Sequence, residues 1–173
     1  MAVQDARTHY AVCLRWSNEE RFIVWYSDEK DGVLLLTPST LALFASRPDV
    51  ERYASAHDID LDPQASTLYD LDRLTEWLSA PTLTPDCSFL LDAWNMLADI
   101  AGSLQTALAE PAEAQAIYDK LFWGCNLPSV TPPGKHYDPI WSQEEITTVV
   151  AVLRSGLRLL RDAFGHPVDT ASH

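Results

Sequence analysis

At 173 residues, with 47% apolar content and six tryptophans, the chain is long enough for one packed domain and too apolar for intrinsic disorder. Its net charge of −13 opposes recruitment by a nucleic-acid backbone or an anionic lipid surface. Cys13, Cys87 and Cys125 are odd in number and lack CxxC spacing, so neither a disulfide framework nor a zinc knuckle is indicated.

No apolar run reaches the ~18 residues of a membrane span, and the N-terminus carries acid and arginine where a leader would carry an apolar core. A cytoplasmic protein is expected, with no membrane association. Charge is unevenly spread: Lys plus Arg against Asp plus Glu count 6 to 8 over residues 1–57, 1 to 12 over 58–119, and 5 to 5 over 120–173. A middle third of that character steers a basic partner, although acidity also serves solubility alone.

In chain order, HYAVCLRW (9–16) and RFIVWY (21–26) are rich in β-branched and aromatic residues and flank SNEE, predicting two antiparallel strands. SDEKDG follows, with Asp31-Gly32 expected to turn the chain into a third strand, Val33–Leu36. Leu41–Phe44 offers a fourth. The period then changes: Ser46 caps a helix with Asp49 three residues on, and Val50, Tyr53, Ala54 and His57 share one face.

DIDLD (58–62) begins like a calcium loop but has Pro63 where glycine is needed and Tyr69 where the closing glutamate is needed. Extended, it would carry Asp58, Asp60 and Asp62 along one edge. Asp70 caps a short helix with Leu71, Leu74, Trp77 and Leu78 inward. Asp86 opens a long helix to about Leu104, buried through Leu90, Trp94, Leu97, Ala98, Ala101 and Leu104 and bearing Asp92, Asn95 and Asp99 on its other side. A helix over Ala114–Trp123 breaks at Gly124, and Ser142 with Glu145 forms a capping box for a last helix to about Phe164.

Strands followed by helices, without βαβ alternation, predict an α+β fold: an N-terminal antiparallel meander of 3–4 strands, then 4–5 helices on one face. A single domain over 1–165 and a fraying tail over 166–173 are expected.

Chemistry is sparse. Cys125 and His136 would be the only nucleophile and base in one loop, but they match no cysteine-hydrolase pattern; no P-loop, GxGxxG or GxSxG occurs. Arg154, Arg158 and Arg161 along the last helix suit its terminal dipole better than RNA. No cofactor or metal is expected, and an enzyme is disfavoured. The function that fits is an acidic binding protein of immunity or antitoxin type, neutralising a basic partner such as a bacterial toxin. Its contact residues would be Asp58, Asp60, Asp62, Tyr69, Asp70, Asp72, Glu76, Trp77, Trp123, Asn126, His136 and Tyr137. The alternative is a small-ligand binder or unconventional enzyme with its site in the 124–137 loop.

Overall fold

A computed structural model describes residues 7–171; the expectation of no leader at residues 1–6 and the end of the tail at 172–173 lie outside these residues. The elements are β1 (Thr8–Trp16), β2 (Glu19–Ser27), β3 (Gly32–Val33), β4 (Leu35–Thr37), β5 (Thr40–Leu41), α1 (Arg47–Ala56), β6 (Thr67–Asp70), α2 (Leu71–Ser79), α3 (Cys87–Ser103), α4 (Ala114–Gly124) and α5 (Gln143–Ala163). The fold is α+β, with the N-terminal strands ahead of the helices.

The chain divides into two compact units. Unit 1 holds the described parts of Met1–Asp72 and Arg161–His173 together with Gly102–Thr106; unit 2 holds Arg73–Ala101 and Ala107–Leu160.

In unit 1 the sheet order is β3-β2-β1-β6. The β1/β2 hairpin pairs Thr8 with Ser27 through to Trp16 with Glu19, so its loop is the two residues Ser17 and Asn18. Both have positive φ, 54° and 59°, the backbone that matches the strands' right-handed twist. Ala11, Val12, Cys13 and Leu14 are buried in succession, which makes the middle of β1 a strand covered on both faces. β6 joins β1 in parallel, Val12 opposite Thr67 through to Arg15 opposite Asp70, and adds an edge to the meander that alternation in the sequence did not reveal. β4 and β5 pair as a separate two-stranded sheet, and Phe44 bridges Phe22 through two backbone hydrogen bonds of 2.8 and 2.9 Å.

Asp31-Gly32 is not the turn expected of it. Gly32 is a buried residue of β3, and a Cβ there would crowd the end of the Tyr26 side chain and the Ser103 hydroxyl; close approach, not a left-handed backbone, favours glycine. The bend is closed by Asp28, whose carboxylate accepts the Lys30 N–H at 2.8 Å.

The core of unit 1 gathers Ala11, Val24, Ala42, Phe44 and Val50, with Phe22, Leu34, Tyr53, Leu61 and Val168 packed on it. Helix α1 starts where Ser46 accepts the Asp49 N–H. Residues beyond α5 make specific contacts: the Val168 N–H donates to the Leu43 carbonyl at 2.6 Å, and buried Thr170 donates to Asp49 at 2.8 Å.

In unit 2, α3 is buried on most of its circumference, through Leu90, Leu91, Ala93, Trp94, Met96, Leu97 and Ile100. Asp86 caps it by accepting the Phe89 N–H at 3.1 Å. This bond, ahead of the Arg73 guanidinium beside it, holds the Asp86 carboxyl below the usual range. On α5 the capping box forms in both directions: the Ser142 N–H donates to Glu145 at 2.8 Å and the Glu145 N–H to the Ser142 hydroxyl at 3.2 Å. Gly156 of α5 lies against α3, where a Cβ would meet Leu97 at 2.8 Å.

Candidate binding surface

The twelve residues expected to meet a partner divide between the units. Asp58, Asp60, Asp62, Tyr69, Asp70 and Asp72 belong to unit 1; Glu76, Trp77, Trp123, Asn126, His136 and Tyr137 belong to unit 2.

Within unit 1 the expected acidic edge is not an extended row. Asp58 follows α1 with φ 52°, and Asp62 turns its carboxylate onto the Gln64 N–H at 2.8 Å while its own N–H donates to the His9 carbonyl at 2.7 Å. Asp70 faces Arg15 at 3.6 Å. Asp72 accepts the Ser17 and Asn18 N–H groups at 2.6 and 2.9 Å. Asp62, Asp70 and Asp72 hold the fold together as well as adding negative field. Among the described residues, no three His, Cys, Asp or Glu side chains are grouped to hold a metal ion.

Unit 2 carries a more concentrated feature in the segment after α4. The helix ends as Asn126 enters the left-handed region, φ 50°, the conformation a C-terminal stop demands. Gly124 is the last residue of α4. It is small because a Cβ would lie 2.6 Å from the Cys87 sulfur and 3.0 Å from Pro139. The Asn126 side chain then clamps the returning chain: its Oδ1 accepts the Tyr137 N–H at 2.7 Å and its Nδ2 donates to the Tyr137 carbonyl at 2.8 Å. One side chain thereby mimics a strand partner and closes the loop from within.

Lys120 fastens the far end. Its Nζ donates to the Ile140 carbonyl at 2.6 Å and to both Glu145 oxygens at 2.8 Å, and lies 4.9 Å from the centre of the Trp141 ring. The Lys120 ammonium, followed by the Ser142 N–H, draws the Glu145 carboxyl below its usual range. Trp141 is buried and anchors the segment. Trp123 and Tyr137, both expected among the contact residues, stand 49% and 45% exposed; Ile140 is 89% exposed, and Leu127 and Val130 are exposed as well. Sequence reading named Trp123, Asn126 and Tyr137 but missed Leu127, Val130 and Ile140. Their signal was present as apolar residues scattered through a proline-rich segment with no period to assign them to a core.

Catalytic chemistry has little support in this loop. The Cys125 thiol donates to the Leu121 carbonyl at 3.2 Å, a helical back-bond, and His136 is exposed. Burial pushes the Cys87 thiol up, away from the reactive thiolate form. Asn95, on the polar side of α3, accepts the Tyr118 hydroxyl at 2.8 Å. Trp77 is half-buried, and its indole N–H is buried without a hydrogen-bond partner among the described residues. Arg154 donates to the Leu78 carbonyl at 2.9 Å.

No family model matches the chain, and no curated protein is similar to it at a significant level. Among solved structures, the crystal structure of the SatS C-terminal domain in complex with bromine aligns over 91% of this chain and 92% of its own, at 14% identity and a TM-score of 0.47. At that degree of likeness nothing about binding or activity passes to this chain. Among the described residues, no helix is long and apolar enough to cross a membrane.

Proposed function

We propose that this chain is a non-enzymatic acidic binding protein that presents the 123–140 surface of unit 2 to a basic protein partner. The observation that carries the reading is the loop itself. Trp123, Leu127, Val130, Tyr137 and Ile140 are each exposed along a segment whose ends are fixed by Asn126 and Lys120.

Large exposed apolar side chains on a preordered backbone are what an interface core uses, because little entropy remains to be lost on binding. Isolated exposed apolar residues are ordinary; five along one clamped segment are not. Net charge supports the sign of the partner: at −13, the chain repels anionic surfaces and accelerates encounter with cationic ones. Asp58, Asp60 and Glu76 contribute to this field. A chain of this kind suits the neutralisation of a cationic protein, the role of immunity proteins and antitoxins, in the cytoplasm where such partners are intercepted.

Cationic proteins encoded beside this chain's gene are the partners to try. Binding is measured by biolayer interferometry from about 50 to about 500 mM salt, over which the Debye length shrinks roughly threefold. The reading expects affinity that falls with salt and is lost in Ile140→Asp, while Leu36→Asp, at an exposed residue of unit 1, binds normally. Affinity indifferent to salt and to Ile140→Asp would refute it.

A further inference from the structure

We infer that a cleft in unit 1, where the β1/β2 hairpin end meets the segment after α5, binds a small anion that carries a flat ring. The cleft measures about 370 Å³, within the size of small-molecule sites. Leu14, Leu43 and Pro167 supply aliphatic wall. Trp16 and Phe164 meet edge to face with ring centres 5.3 Å apart and both line the cleft, an aromatic lining that suits a planar group.

The charge of the lining decides the ligand's sign. Glu19 is the carboxylate that lines the cleft, and the Arg21 guanidinium holds it at 2.7 Å. Arg161 lies over the Trp16 ring, 5.5 Å from its centre. The other arginines of unit 1, Arg7, Arg15, Arg21, Arg47 and Arg52, each hold a carboxylate. Arg161 has none within ion-pair distance among the described residues, in a chain with 25 acidic side chains against 12 basic ones.

Part of its role is to offset the partial negative charge at the end of α5. That leaves the fork of donors free, and a guanidinium fork matches a carboxylate or phosphate in the plane of both. The His166 ring lines the same cleft. The ligand is therefore a ring-bearing carboxylate or phosphate, its ring against Trp16 and Phe164 and its anion on Arg161. This site is independent of the loop surface in unit 2, and either can fail alone.

The test uses the whole chain, with adenosine monophosphate and indole-3-acetate as ring-bearing probes and inorganic phosphate and acetate as ringless controls. Nitrogen–proton correlation spectra follow the Trp16 indole, assigned through Trp16→Phe, and the amides of Gly165 and His166. At least one ring-bearing probe should shift these signals saturably, and the responding probe identifies the anion as phosphate or carboxylate. Arg161→Gln should weaken binding about tenfold, the loss of one charge-assisted contact, and Arg158→Gln should leave it unchanged. Should Arg161→Gln unfold, Arg161→Lys serves instead, since it keeps the charge, loses the fork and should weaken binding by a smaller factor. Silence from both ring-bearing probes, equal affinity for the ringless controls, or equal loss in Arg158→Gln would overturn the inference.

Discussion

Asp72 accepts the backbone N–H of Asn18 at 2.9 Å and that of Ser17 at 2.6 Å, so a carboxylate in the first turn of α2 caps a hairpin loop more than fifty residues earlier in the chain. Hydrogen bonds to a charged acceptor are worth about 1.5–3 kcal/mol each when sheltered, and less at this half-exposed position. Asp72→Ala should therefore lower stability by about 1–2 kcal/mol. Ser17→Gly should raise it by a few tenths to about 1 kcal/mol, because glycine takes the left-handed conformation without strain. Urea unfolding midpoints of the two variants check both signs.

The Asn126 clamp predicts a difference between order and stability. Asn126→Ala removes both bonds to Tyr137 and a residue that tolerates φ 50° better than alanine does, and should release the 127–137 segment to fast amide exchange while global stability falls by only about 1–2 kcal/mol. Amide exchange read by mass spectrometry distinguishes this from a loop ordered by packing alone, in which protection would persist.

Acid dependence follows from Glu145. Its carboxyl is held below the usual glutamate range by Lys120 and then by the Ser142 N–H, so the folded state binds that proton less readily than the unfolded state. The stabilisation is complete above the ordinary glutamate range and is lost as pH falls through the depressed folded value. Glu145→Gln should accordingly be less stable than the wild type at neutral pH, with the gap closing as the solution is acidified. Thermal melts of both proteins across that range give the comparison.

Two glycines predict steric failures of different kinds. Gly156→Ala gains helix propensity yet should destabilise by about 1–3 kcal/mol, because the added methyl meets Leu97 at 2.8 Å. Gly124→Ala strikes the Cys87 sulfur at 2.6 Å, and Cys87→Ser, with a smaller atom there, should recover part of the loss. A double-mutant cycle in denaturant measures that coupling.

Much of the fold was legible because it is written locally. The Ser46, Asp86 and Ser142 starts are caps with a fixed spacing, and the expected end of the last helix near Phe164 falls one residue beyond Ala163, the last residue of α5. β6 was not legible: Thr67-Leu68-Tyr69-Asp70 is too short to show alternation, and its pairing with β1 is a long-range choice that no local pattern encodes. Gly32 misled because a turn glycine and a close-approach glycine look alike in sequence. The acids of residues 58–72 were visible as charge, but which of them face solvent depended on backbone donors supplied by Ser17, Asn18 and Gln64. At the loop, the end of α4 near Gly124 followed from residue type, whereas the left-handed turn at Asn126 and its clamp on Tyr137 depended on hydrogen bonds that no local pattern shows.

The central claim, that the 123–140 surface receives a basic protein, is tested most directly by amide exchange of this chain with and without a cationic partner bound. New protection should appear over Trp123–Ile140, and Ile140→Asp should abolish it together with binding. Protection confined to residues of unit 1, with the loop exchanging as in the free protein, would contradict the account.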